Sequence, residues 1–422
     1  MKFKSLKGTR DILPGESHRW HYVEQAIRTV MHNFNYREIR TPVFEETALF
    51  ARGIGELTDI VGKEMYSFTD RSETSVTLKP EMTASVIRSY VQNNLGEQLP
   101  LVKVYYMAPM FRQERPQAGR LRQFHQFGAE AIGGGAASID AECLALAVEV
   151  YRTLGVTNMT LKINSVGCEK CRPAYRERLQ THLGSVREKL SAESQKRFEA
   201  NPLRILDSKD ETDKALTAGA PLMKDHLCAE CATHFAELQS TLAAQKIAYT
   251  IDGRIVRGLD YYTKTAFEIV STDLGSQDAL AGGGRYDLLV EQLGGKPTPS
   301  VGFAAGIERL LMVMDQAKLF TGTEPHPFLF VAAADEEGRR WASGAVMELR
   351  RAGIAAEADM LGRSLKSQMR EADRQKADCV LVVGASEIEK NAATLKRMAT
   401  GDHRMVDLTD VAAEVKKLIP ST

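Results

Sequence analysis

Two apolar-rich runs of similar length, Leu101–Arg112 and Phe124–Gly133, are joined by one short polar loop, 113–122. Parallel neighbours need a crossover of a dozen or more residues, so these runs are expected to pair as an antiparallel hairpin. Side chains alternate faces along a strand. Phe124, Gln126, Gly128 and Glu130 therefore share one face of the second strand. An aromatic, an amide, a bare backbone and a carboxylate make poor core. Burying Gln126 and Glu130 without partners would cost roughly 1–3 kcal/mol or more each. The face is reasonable as a ligand floor, where Phe124 stacks on a flat ring and the two polar groups accept from an ammonium or an imidazole N–H.

The loop is basic. Between residues 101 and 126 stand Lys103, Arg112, Arg115, Arg120 and Arg122 against the single acid Glu114. Arginine forks bind phosphate bidentately, so the loop suits a triphosphate, a nucleic acid, or both; a solvated basic turn is the bland alternative. The whole chain has 55 Lys plus Arg and 55 Asp plus Glu, a formal net charge of +0. Polyanion binders usually carry an excess of positive charge. The total argues against non-specific nucleic-acid affinity and leaves a local site open. With 422 residues, 43% hydrophobic and 26% charged, the composition is that of a globular protein. At roughly 150 residues per domain, two or three domains are expected.

Ser17–Asn33 has helical spacing in Trp20, Val23, Ala26, Ile27 and Val30. Ile39–Phe44 reads as a strand whose Pro42 confines it to an edge or interface. Glu81–Asn93 reads as a helix, and Ala248–Val256 and Thr265–Val270 as strands. From 168 to 244 the chain is charged, Leu-periodic and helical, an insertion within a first domain spanning 1–325. Gly322, Pro325 and Pro327 mark a break. Beyond it, 326–422 alternates strand and helix: Phe328–Ala333, Glu336–Ala352, Ile354–Ala358, Leu365–Gln375 and Cys379–Val383, then Ala393–Met398 and a last helix near Val411–Leu418. That order predicts a small domain on a largely parallel sheet.

Smaller clusters share the flavour of the hairpin. Glu81 and Thr83 open a helix, where capping alone explains an acid and a hydroxyl. Arg257-Gly258-Leu259-Asp260-Tyr261-Tyr262 joins two strands and could be an ordinary turn. Gly282-Gly283-Gly284-Arg285-Tyr286 lets backbone approach a ligand but does not have P-loop spacing. Gly302–Arg309 presents small residues and then an arginine one turn into a helix. Together these suggest a phosphate-rich ligand beside a small cationic one, on an antiparallel sheet.

Cys168, Cys171, Cys228 and Cys231 form two Cys-x-x-Cys pairs. Four thiolates at this spacing suit zinc, and four reduced buried thiols are the alternative. The N-terminus has no secretory apolar core, and no apolar run approaches the ~20 residues of a membrane span. A cytoplasmic, non-membrane protein is expected.

The motifs resemble those of class II aminoacyl-tRNA synthetases, specifically the histidyl-tRNA synthetase family. Lys7–Pro14 resembles the family's opening signature, and Ile39–Phe44 resembles motif 1. Phe111–Arg120 with Arg122–Gln126 resembles motif 2, and Gly302–Arg309 resembles motif 3. Arg257–Tyr262 is similar to a peptide found specifically in histidyl enzymes. The resemblance implies an α+β catalytic domain on a six-stranded antiparallel sheet, a helical insertion and a C-terminal α/β anticodon-binding domain. It implies histidine, ATP with Mg²⁺ and tRNA(His) as substrates, and a homodimer formed through motif 1.

Residue by residue, it implies that Arg112 bridges the histidine carboxylate and the α-phosphate. Glu114 contacts the adenine side of ATP, Phe124 stacks on the adenine, Arg309 holds the γ-phosphate, and Arg120 clamps the triphosphate or the acceptor end. Glu81, Thr83, Gln126 and Tyr286 surround the α-amino group. Glu130 and Tyr262 read the imidazole beside Tyr261, and Arg257 is the catalytic cation. Members of that family often carry more cysteines in the insertion, where this chain has Ser191, Ser194 and Ser208. Ala304-Ala305 departs from motif 3, with an effect expected on packing only. A second reading is a synthetase-like regulatory subunit of ATP phosphoribosyltransferase, which binds histidine without charging tRNA. Such chains typically lack the anticodon domain and have eroded motifs, whereas Arg112, Arg257 and Arg309 stand here and about 95 residues follow Pro327.

Overall fold

The computed structural model describes residues 3–55, 58, 60–117, 119–256, 261–273, 278–320 and 324–419. Two compact units divide the chain, Met1–Gly322 and Thr323–Thr422. Among the described residues the first unit carries eleven strands. These are β1 (Arg37–Glu38), β2 (Phe44–Glu46), β3 (Tyr66–Thr69), β4 (Ser75–Leu78), β5 (Val102–Phe111) and β6 (Gln123–Ile132), followed by β7 (Thr160–Ser165), β8 (Thr250–Ile251), β9 (Thr263–Val270), β10 (Ala279–Arg285) and β11 (Ser300–Gly306).

The main sheet has the order β1-β5-β6-β11-β10-β9-β7-β8. Its six central strands are antiparallel throughout, as expected. Two-residue strands add parallel edges, β1 on β5 and β8 on β7. The hairpin of β5 and β6 pairs in regular register from Val102 opposite Ile132 to Phe111 opposite Gln123. The alternation along β6 holds. Phe127, Ala129 and Ala131 enter the core with the apolar stripes of helices Pro14–Asn33 and Ala137–Thr153. Burying a side chain the size of Phe127 stabilises by about 1.5–3 kcal/mol. Because those residues bind the helices to one face, the polar residues of β6 are directed to the other.

Two expected strands are shorter. Ile39–Phe44 is irregular over most of its length, with β1 before it and β2 starting at Phe44. Pro42 has no N–H to give a ladder and holds its predecessor extended. Ladder bonds survive on either side, from Ile39 N–H to the Tyr105 carbonyl and from Lys79 N–H to the Val43 carbonyl. Ala248–Val256 contracts to β8, because the chain turns after Ile251, with Ile255 N–H donating to the Asp252 carbonyl. A small sheet, β2-β4-β3, was not anticipated.

Between β7 and β8 lie helices Arg172–Gly184, Ala192–Ala200 and Glu211–Leu216, around a core that includes Tyr175, Leu179, Leu183 and Ile205. Helix Ala229–Ala244 gives Cys231 to that core and Phe235, Leu238 and Leu242 to the main one. Ser191, Ser194 and Ser208 converge on buried Asp213, donating to its Oδ2 at 2.7, 2.6 and 2.7 Å. The three serines and the acid form a hydrogen-bonded node in this insertion.

The second unit contains β12 (Leu329–Ala333), β13 (Ala356–Ala358), β14 (Cys379–Val383), β15 (Ala392–Arg397) and β16 (His403–Asp407), in the order β13-β12-β14-β15-β16. Strands β13, β12 and β14 are parallel, joined by helices Glu336–Arg351 and Leu365–Arg374. Strands β15 and β16 are antiparallel. The sheet is thus mixed, because the short link between β15 and β16 can only reverse the chain.

Candidate active site

The polar face of β6 floors a cavity walled by β10, β11 and the start of helix Thr83–Gln92. Glu81, Thr83, Arg112, Glu114, Arg120, Phe124, Gln126, Tyr261, Tyr262, Tyr286 and Arg309, all singled out from the sequence, line it together. Glu130 lies beneath the lining. Arg257 lies outside the described residues.

Glu130 is completely buried. Its carboxyl accepts from Thr83 Oγ1 at 2.8 Å and from the Tyr286 hydroxyl. Burial pushes its pKa up to about 8, against the opposing pull of those two bonds. Space for it comes from Gly302, its partner across the β6–β11 ladder. A Cβ on Gly302 would stand 1.6 Å from Glu130 Oε2. Burial likewise holds the phenols of Tyr261 and Tyr286 well above their ordinary value, so both stay neutral donors.

Glu81 accepts from the backbone N–H groups of Thr83 and Ala84 at 2.8 and 2.9 Å. The capping explanation for this acid is correct as local structure, and the same carboxylate faces the cavity. Burial raises its pKa as well. Gln126 Oε1 is buried and has no hydrogen-bond partner among the described residues. A buried acceptor left unpaired is unfavourable, so this atom invites a donor from a ligand.

The other end of the cavity is cationic. Arg112 donates through Nε to the Pro80 carbonyl at 2.9 Å, with its guanidinium 5.3 Å from the Phe124 ring centroid. Glu114 lies 3.7 Å from Arg112 and 3.2 Å from Arg120. Arg309 donates to the carbonyls of Gly119 at 3.2 Å and Ala279 at 2.7 Å, tying the motif 2 loop to β10. Burial, then the charges of Arg120 and Arg112, lower the pKa of Arg309. Glu114 offsets part of this charge, and the three guanidiniums keep an excess of positive charge that an anion would relieve.

Sequence reasoning did not single out Glu308. Its carboxylate accepts from His125 N–H at 2.9 Å and lies 2.9 Å from His125 Nδ1, fixing β6 to the helix that carries Arg309. Its only signal was adjacency to that arginine. The glycine triplet is strand β10 itself, with Gly282 on the cavity wall. Ala304 also lines the cavity, so the departure at Ala304-Ala305 bears on the site as well as on packing. Away from this cavity, Cys168, Cys171, Cys228 and Cys231 bring four sulfurs within 4.8 Å of one another.

The sequence model for histidyl-tRNA synthetase matches residues 8–310. The chain belongs to the histidyl-tRNA synthetase family. The model for the anticodon binding domain matches residues 329–418. A histidine–tRNA ligase of Chloroherpeton thalassium is 51% identical over 419 residues, covering 99% of this chain and 98% of the relative. That of Desulforamulus reducens is 47% identical over 410 residues, covering 97% and 98%. The apo crystal structure of S. aureus histidyl-tRNA synthetase superposes with a TM-score of 0.85 at 37% identity, over 98% of this chain and 100% of that one. A likeness to a Bacillus halodurans chain described as an ATP phosphoribosyltransferase regulatory subunit/histidyl-tRNA synthetase, at 22% identity and a TM-score of 0.62, concerns the fold alone. Among the described residues no helix is long and apolar enough to cross a membrane.

Proposed function

We propose that this chain is a histidine–tRNA ligase. It condenses L-histidine with ATP, which arrives with Mg²⁺, to histidyl-adenylate and pyrophosphate, then passes histidine to the 3′ end of tRNA(His). The observation that carries the reading is one cavity with an acid–tyrosine floor, Glu130 with Thr83 and Tyr286, below a rim of Arg112, Arg120 and Arg309. A small cation and a polyphosphate fit its two ends.

In this reading the histidine carboxylate attacks the α-phosphorus in line. The protein's work is alignment and neutralisation of charge on the phosphoryl oxygens. Arg112, already oriented by the Pro80 carbonyl, bridges carboxylate and α-phosphate, and Arg257 adds the catalytic cation. Phe124 stacks on the adenine, with Glu114 at its edge. Arg309 takes the γ-phosphate and Arg120 the bent triphosphate or the acceptor end. Gln126 Oε1, Glu81, Thr83 and Tyr286 receive the α-ammonium. Glu130 and Tyr262 read the imidazole, with Tyr261 against both tyrosines at ring separations of 4.7 and 5.6 Å. Glu130 is held protonated at neutral pH and Glu81 is tied to backbone donors, so the adenylate phosphate takes the proton from the attacking ribose hydroxyl.

The same reading makes the enzyme a cytoplasmic homodimer. Val43, Phe44 and Phe68 are exposed on or beside the small sheet and offer the apolar patch that a second copy would cover. Cys168, Cys171, Cys228 and Cys231 are a structural zinc site outside the reaction. The regulatory-subunit alternative is set aside, because the catalytic model, the anticodon domain and full-length ligase relatives all match. ATP–pyrophosphate exchange that depends on histidine, followed by charging of tRNA(His), tests the activity; exchange without any dependence on histidine refutes it.

A further inference from the structure

We propose that the zinc bound by Cys168, Cys171, Cys228 and Cys231 acts as a clasp that sets Tyr262 and Tyr286 for histidine. The inference rests on the reading of those tyrosines as histidine-binding residues.

The site is built for a tetrahedral thiolate ion. Zinc–sulfur bonds of about 2.3 Å place tetrahedral sulfurs about 3.8 Å apart. Cys168 Sγ stands 3.7 Å from Cys171 Sγ and 3.9 Å from Cys228 Sγ. A disulfide would need about 2.05 Å, and all six cysteines are free. The N–H of Cys228 donates to Cys171 Sγ at 3.2 Å, a contact that stabilises a thiolate. Gly167 leads into the first pair with φ +65°, and a Cβ there would meet Cys171 Cβ at 2.9 Å. The second pair opens helix Ala229–Ala244, which Phe235, Leu238 and Leu242 anchor in the main core.

Residues beside both cysteine pairs connect to the tyrosines through the backbone of Tyr262 and through Lys264. Next to Cys171, Arg172 donates to the Tyr262 carbonyl. Gly167 O accepts from Lys264 N–H and Val166 N–H donates to Lys264 O, each at 2.8 Å. From the second pair, Glu230 accepts from Lys264 Nζ at 3.0 Å. Lys264 Nζ also lies 3.7 Å from Asp287, the neighbour of Tyr286. Lys264 has φ +49°, a conformation that persists only where surroundings enforce it. An ion joining the two pairs thus closes a ring of contacts through Lys264, with Tyr262 and Tyr286 on its cavity side. Loss of the ion frees the two pairs to separate and loosens both tyrosines, without touching Arg112, Arg120 or Arg309.

Full-length protein purified without chelator is expected to contain close to one zinc per chain, and cobalt(II) in its place should give thiolate charge-transfer and tetrahedral d–d absorption. Zinc well below one per chain together with no cobalt spectrum overturns the site. Stripping the metal should raise the histidine KM about tenfold and leave the ATP KM within about twofold, with zinc restoring both, as expected for a support removed from a binding residue. An unchanged histidine KM in protein shown to be metal-free overturns the clasp. Glu230→Gln leaves all four thiols in place and avoids a folding failure. It should keep zinc and weaken histidine severalfold; equal weakening of histidine and ATP overturns the clasp. A zinc-loaded protein that never shows histidine-dependent exchange refutes the ligase reading and leaves the metal site standing.

Discussion

Glu130→Gln isolates the buried acid of the floor. The folded-state pKa of Glu130 is about 8 against an ordinary 4.5. Between those values the folded protein keeps a proton that the unfolded chain has released, so stability falls as pH rises through this window. At about 1.4 kcal/mol per pKa unit, the wild type loses at most about 5 kcal/mol by the time pH passes 8, and the complete burial of the group leaves little solvent screening to discount. Glutamine has nearly the same shape, accepts through its single amide oxygen from one of the two hydroxyls that Thr83 and Tyr286 give to Glu130, turns its NH2 to donate to the other hydroxyl oxygen, and carries no titrating proton. Thermal unfolding of both proteins without ligand should therefore show the variant gaining on the wild type as pH climbs from about 5 to about 9. In the same variant the histidine KM should rise about 2- to 10-fold, the range for one neutral hydrogen bond of about 0.5–1.5 kcal/mol lost, while the ATP KM stays put. Parallel stability curves would refute the proton bookkeeping. An unchanged histidine KM would remove Glu130 from the pocket whatever the curves show.

Arg257→Ala should slow pyrophosphate exchange by at least about 10²-fold, as for loss of a transition-state charge partner; a near-wild-type rate would refute its assignment. Gly302→Ala forces a methyl onto Glu130 and should destabilise by about 1–3 kcal/mol, the usual range for overpacking, with histidine binding weakened; denaturant unfolding and histidine titration check this, and a variant of wild-type stability would show that Glu130 is free to move. Asp140→Ala takes from fully buried Arg285 its buried carboxylate partner and leaves it Asp287 alone, at 3.0 Å. Breaking such a pair costs about 3–5 kcal/mol, so unfolding should come at clearly lower denaturant. Arg309→Ala should raise the ATP KM far more than the histidine KM in initial-rate assays, and equal effects would argue against a γ-phosphate role.

Local pattern carried much of this protein. The hairpin was legible because period-two alternation and a short loop admit one pairing, and the polar face of β6 because an amide and a carboxylate do not belong in a core. The helix after Glu81 was legible because an acid and a hydroxyl favour that end. The edges of elements were less so: Pro42 and the turn at Asp252 interrupted strands that their apolar content alone would extend. Strands β10 and β11 are rich in glycine and alanine, which carry little strand signal, so their place in the sheet was visible only as motif and not as structure.

Contacts between distant residues were decided by the tertiary fold. Nothing near Glu130 in sequence says that Thr83 and Tyr286 will hold it, that Gly302 will make room for it, or that burial will carry its pKa to about 8. Glu308 became a fixed point only when β6 and helix Ile307–Gln316, which carries Arg309, met. The neutral total of charge and the order of strands and helices follow from the residues as written. The gathering of Arg112, Arg120 and Arg309 above a protonated acid does not, because desolvation and Coulomb energy depend on distances that only a folded chain sets.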